Sequence, residues 1–130
     1  MATRCNIGIF EKPNEEGVSE VRYIYSHWDG YPDGVGFTLK NHYTDEAKIR
    51  KLIDGGDISS LREEVEIPDE VEHSFDKPSG NITVFYGRDR GESGTEAQKT
   101  YMKGMTNIKN IKENEYLYVY EVESGEWLTY

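Results

Sequence analysis

Two strand–turn–strand patterns, one near each end of the chain, constrain the fold more than any other feature. Residues 4–11 alternate, with Ile7 and Ile9 on one face, and Pro13, Asn14 and Gly17 supply turn chemistry before a second run over 18–28. Residues 116–122 and 126–130, joined across Ser124-Gly125, repeat the pattern as a final hairpin. Side chains along a strand alternate between faces, so the second run sets Val21, Tyr23, Tyr25 and His27 opposite Arg22, Ile24, Ser26 and Trp28.

Helical signals lie between the hairpins. Asp29-Gly30-Tyr31-Pro32-Asp33-Gly34-Val35-Gly36 is too rich in glycine and proline for regular structure, and residues 37–43 follow as a short helix. Thr44 or Asp45 caps a second helix, whose Ala47, Ile49, Leu52 and Ile53 form an apolar stripe before Gly55-Gly56 ends it. Residues 57–80 read as a long irregular connection anchored by Ile58 and Leu61. Residues 82–86 read as a strand, 87–92 as a compact charged loop and 95–103 as a helix. A chain of 130 residues holds one core of ordinary size, so the expected fold is a single domain over 1–130. Its class is α+β: an antiparallel sheet of about five strands with two or three helices on one face.

Charge narrows the partners. The formal net charge of −10 argues against a nucleic-acid polymer, because phosphate backbones are held by surplus Lys and Arg. The segment 81–112 carries six basic and three acidic residues, whereas 113–130 carries five acidic and no basic ones. A local basic island on an acidic protein suits a small anion. Cys5 is the only cysteine and has no internal disulfide partner. No apolar run approaches the roughly 18 residues of a membrane span, and the first residues lack the core of a signal peptide. A soluble protein of the cytoplasm, with no membrane partner, is expected.

Two constellations carry chemistry. The first runs from His27 and Trp28 through Tyr31 to Gly34 and Gly36, where glycines and a helix start make a candidate anion cradle. The pattern is not GxGxxG and lacks the Lys and Ser/Thr of a phosphate-binding P-loop. In the competing reading Asp33 caps the helix and Trp28 fills the core. The second is Tyr86-Gly87-Arg88-Asp89-Arg90-Gly91-Glu92, where the planar guanidiniums of Arg88 and Arg90 suit phosphate and Tyr86 offers a ring for a base. Its competing reading pairs the arginines with Asp89 and Glu92. His27, His42 and His73 are dispersed without metal-ligand spacing, so neither a metal nor a cofactor is expected.

Five stretches carry a resemblance: Ala2-Thr3-Arg4-Cys5-Asn6-Ile7-Gly8-Ile9, residues 25–36, Gly56-Asp57-Ile58-Ser59-Ser60-Leu61, His73-Ser74-Phe75-Asp76 and residues 86–92. Together they resemble a family of small proteins from tailed phages and bacterial genomes, marked by His27-Trp28-Asp29-Gly30-Tyr31-Pro32 and by Gly87-Arg88-Asp89-Arg90-Gly91-Glu92. The match covers most of residues 2–92 and stops before about residue 104. Small acidic phage proteins of this size are also similar in type to oligomeric sponges that sequester cyclic-nucleotide or ADP-ribose-derived signals of bacterial immunity. What this likeness implies is an anti-defence protein acting in the host cell cytoplasm.

The expected function is capture of a small nucleotide second messenger, of cyclic oligonucleotide or cyclic ADP-ribose type, without turnover. Arg88 and Arg90 would take phosphates, backbone groups near Gly34 and Gly36 a further polar group, and Trp28, Tyr31, Phe75 or Tyr86 would stack on a base. No nucleophile is identified, and catalytic residues are not expected. The alternative is an acidic inhibitor that mimics nucleic acid on a host defence enzyme. A third reading makes His27 the acid or base of a phosphodiesterase. Rings on both faces of the final hairpin predict self-association into a homo-oligomer, unless a helix covers the second face.

Overall fold

The computed structural model describes residues 2–130. The first hairpin forms where alternation predicts it. Cys5–Phe10 (β1) pairs antiparallel with Val18–Ser26 (β2), placing Ile7 against Ile24 and Phe10 against Val21. Asn14 closes the turn, its Oδ1 accepting from the backbone N–H groups of Glu16 and Val18. Gly17 completes it at φ +78°, a left-handed conformation that glycine adopts without a Cβ penalty. Tyr116–Glu121 (β6) and Glu126–Thr129 (β7) form the last hairpin, with Tyr120 opposite Trp127.

The sheet joining these hairpins differs from the expected one. Strand β6 runs parallel to β1, with Tyr118 beside Ile7. A neighbour on each edge and cover on each face bury all six residues of β1. The second edge of β2 is shared. Gln98–Lys103 (β5) pairs antiparallel with residues 18–23, and Ile58–Ser60 (β3) meets the strand in parallel at Ser26. Val84–Phe85 (β4) then pairs with β3. The fold is therefore α+β, but its sheet is mixed and has seven strands, in the order β4-β3-β2-β1-β6-β7 with β5 also on β2. Both additional strands come from segments with weak local β signals. Glu96, Ala97, Gln98 and Lys99 favour helix, yet the exposed edge of β2 would otherwise leave a row of backbone groups unpaired.

Phe37–His42 (α1) and Glu46–Asp54 (α2) cover one face. Asp45 caps α2 by accepting from the Ala47 N–H, and Ile49, Leu52 and Ile53 pack with Leu39 and Tyr43 against Ile7, Ile9 and Ile24. Residues expected to be irregular supply two more helical turns. Pro32–Gly36 is a π-helical turn leading into α1, with Pro32 near its start, where a missing N–H is tolerated. Tyr86–Arg90 (α3) is a single turn ended by Gly91 at φ +77°.

On the opposite face the 3-10 turn Ile108–Ile111 packs beside Met102, a side chain of the edge strand β5. Met102, Ile108 and Ile111 pack there on Val21, Leu117 and Val119. Tyr116, Tyr118, Tyr120 and Trp127 share the α1/α2 side, and Tyr130 turns to the other. Four of the five rings of the final hairpin thus lie on one face, and on the other Tyr130 joins the cluster of Met102, Ile108 and Ile111. Among the described residues no helix is long and apolar enough to cross a membrane.

Candidate functional site

At the end of β2 the chain leaves the sheet through Asp29, whose φ of +57° is uncommon for a residue other than glycine. Before it leaves, the His27 N–H donates to the Ile58 carbonyl at 3.2 Å and the Trp28 N–H to the Ser59 carbonyl at 3.0 Å. These bonds hold Trp28 beside β3. Its indole remains 44% exposed, so it does not fill the core. The His27 ring meets it edge-on, centroids 4.7 Å apart, and His27 Nδ1 lies 2.6 Å from the Tyr25 hydroxyl.

A buried polar network positions the facing wall. The His73 side chain is fully buried; its Nδ1 accepts from the Ser79 N–H at 3.0 Å, so Nε2 carries the proton and donates to Asp89 Oδ2 at 3.1 Å. Asp89 also accepts from the Phe85 N–H and from Arg88 Nε, both at 2.8 Å. Burial alone would raise the Asp89 carboxyl, but Arg88, the Phe85 N–H and His73 together hold it below the usual range. The Phe75 N–H donates to the Asp89 carbonyl at 3.2 Å, which seats the Phe75 ring beside α3.

Between these walls lies an open cleft of about 300 Å³. Trp28, Phe75 and Pro78 form its sides, Ser59, Ser60 and Val84 line it further, and Asp29 and Arg62 supply its charges. Arg62 donates from Nη1 to the carbonyls of Ser79 and Gly80 at 3.1 and 3.2 Å. Among the described residues its Nε and Nη2 have no protein acceptor. Sequence reasoning missed Arg62, although it is one of only two basic residues in the acidic stretch 61–80.

The structure divides the two predicted arginines. Arg88 is a structural group: it donates to the Val65 carbonyl at 2.5 Å, the Thr83 carbonyl at 3.0 Å and Asp89, and lies over the Phe85 ring. With these donors engaged, Arg88 is not poised to converge with Arg90 on one phosphodiester. Arg90 is the freer cation, 53% exposed, with its Nε 3.5 Å from Glu92 and its guanidinium 4.7 Å from the Phe75 ring centre. Tyr86 flanks the same ring, centroids 5.6 Å apart.

The expected anion cradle is engaged internally. The Gly34 N–H donates to the Tyr31 carbonyl and the Val35 N–H to the Asp29 carbonyl, at 2.9 and 2.8 Å. Gly34 serves close packing, since a Cβ there would stand 2.3 Å from the Asp29 carbonyl oxygen; one at Gly36 would press on Tyr118 at 3.1 Å. Tyr31 is exposed, and its hydroxyl donates to Asp29 Oδ1 at 3.1 Å. No side chain caps the turn starting at Pro32, so Asp33 is not its cap.

Burial pushes the Cys5 thiol up to about 12, leaving it protonated and unreactive at neutral pH. Among the described residues no group of three or more His, Cys, Asp or Glu side chains gathers closely enough to hold a metal ion. No protein-family model matches the chain, and no match to a curated protein or to a solved structure was found.

Proposed function

We propose that the Trp28–Phe75 cleft binds a small anionic nucleotide, of cyclic oligonucleotide or cyclic ADP-ribose type, and retains it without turnover. One observation carries this reading: two aromatic side chains line a single cleft with a guanidinium that keeps two nitrogens free of protein acceptors. A base stacks on the exposed face of Trp28, an interaction of about 1–3 kcal/mol. Arg62 receives a phosphate through its uncommitted nitrogens, and Arg90, whose guanidinium lies against the Phe75 ring that lines the cleft, takes a second anionic group.

Capture rather than cleavage is supported by the lining itself. It contains one carboxylate, Asp29, and neither imidazole nor thiol, whereas acid–base cleavage of a phosphodiester needs two groups placed at the reacting phosphate. In the setting that the phage resemblance implies, such a protein draws down an immune signal by mass action.

Equilibrium dialysis against cyclic dinucleotides, cyclic trinucleotides and cyclic ADP-ribose isomers, followed by denaturation and chromatography, tests both halves of the proposal. One ligand class retained and released intact supports it. Retention of none, or product accumulating beyond one equivalent, overturns it.

A further inference from the structure

The acidic segment 113–126 has no part in the nucleotide cleft, yet two of its carboxylates border another. This second cleft, of about 200 Å³, lies at the opposite end of β2 from Trp28, where the β1–β2 turn comes beside the end of β6. Phe10, Pro13 and Met105 give it apolar walls, and Glu121 and Glu123 stand at its edge. Glu11 also lines it, but Arg50 holds both oxygens of that carboxylate. Glu121 and Glu123 form no ion pair among the described residues. Glu121 moreover faces Glu126 across the β6–β7 pairing, and like charges directly opposite one another are unfavourable.

An independent observation points into the same place. Ser19, 1% exposed, lines this cleft, and its hydroxyl has no hydrogen-bond partner. A buried hydroxyl without a partner destabilises the fold, and Oγ turns about a single bond, so a donor in the cleft gives it the missing partner.

We propose that this cleft binds an alkyl chain ending in a primary ammonium group. Glu121 and Glu123 neutralise the head, Ser19 Oγ accepts one of its hydrogens, and the methylenes lie along Phe10 and Met105. The chemistry is selective. An ammonium has three donors and no acceptor, which matches two carboxylates and a hydroxyl. A compact metal ion requires several oxygen ligands converging at short range, and these carboxylates do not form such a group. The apolar walls match an alkyl stem and have no use for a bare ion. Two sources present this group: a free polyamine and a lysine side chain on another protein.

Titrating the ¹⁵N-labelled full chain with spermidine, with a blocked single-lysine peptide and with KCl at matched ionic strength tests the assignment. The expected result is saturable shifts centred on Ser19, Gly104 and Met105 with spermidine, the peptide or both, and at least a tenfold loss of affinity in Glu121→Gln/Glu123→Gln. Response to spermidine alone assigns the polyamine; response to the peptide alone assigns the lysine. Absence of saturable shifts with either ligand, the same shifts with KCl, or unchanged affinity in the double variant overturns the proposal. Ser19→Ala serves as the second variant, with weaker binding expected and retained spectral dispersion reporting an intact fold.

Discussion

His73 donates through Nε2 to Asp89 Oδ2 across 3.1 Å, and this bond joins two segments sixteen residues apart. It ties the loop that carries Phe75 to the turn that carries Arg88 and Arg90. The aromatic wall of the nucleotide cleft therefore depends on a buried carboxylate that never reaches the cleft.

Asp89→Ala leaves the Phe85 N–H, the His73 Nε2–H and Arg88 Nε without their acceptor and is expected to destabilise the protein by about 3 kcal/mol in urea denaturation. The sign of the pH dependence follows from its lowered carboxyl. The stabilisation is fully present above an unfolded value of about 4 and is lost as pH falls through the lower folded value. Below about pH 4, wild type should lose stability more steeply than Asp89→Asn.

Arg88→Ala and Arg90→Ala should separate stability from binding. Arg88 supports the Val65 and Thr83 carbonyls, and its loss is expected to destabilise by about 2 kcal/mol. Arg90 is half exposed, so its loss should change stability by less than about 0.5 kcal/mol while weakening nucleotide binding about tenfold. Thermal melts and calorimetry on both variants check the crossing.

Gly34→Ala brings a Cβ against the Asp29 carbonyl oxygen and forces the loop away from its packed position. A loss of about 1–3 kcal/mol is expected, with weaker ligand binding because Asp29 and Trp28 move with the loop. Gly17→Ala meets nothing within 4 Å; strain at φ +78° alone is expected to remove about 1 kcal/mol and to leave binding unchanged. Paired denaturation and binding curves distinguish the two mechanisms.

Much of the frame was legible because its signals are local. Alternation marks β1, β2, β6 and β7, and Asp45 with the Ile49, Leu52 and Ile53 stripe marks α2. Strand β5 was not legible, since the open edge of β2 overrides the helical preference of 95–103. The site divides in the same way. Trp28 and Phe75 stand out as rings among polar and glycine-rich neighbours, and both reach one cleft. Arg62 does not, because its place depends on β3 meeting β2 through a single residue pair. Arg88 and Arg90 read alike in sequence; only tertiary placement makes one a brace hydrogen-bonded to two backbone carbonyls and Asp89 and the other a freer surface cation.

Calorimetric titration of wild type, Trp28→Ala and Arg62→Ala with cyclic dinucleotides, cyclic trinucleotides and cyclic ADP-ribose isomers tests the central claim most directly. The account predicts saturable binding of one ligand class to wild type. It also predicts a loss of about tenfold or more in each variant, with the melting temperature of Trp28→Ala close to that of wild type because the indole is largely outside the core. No heat from any member of the panel, or an affinity that survives both substitutions, would contradict it.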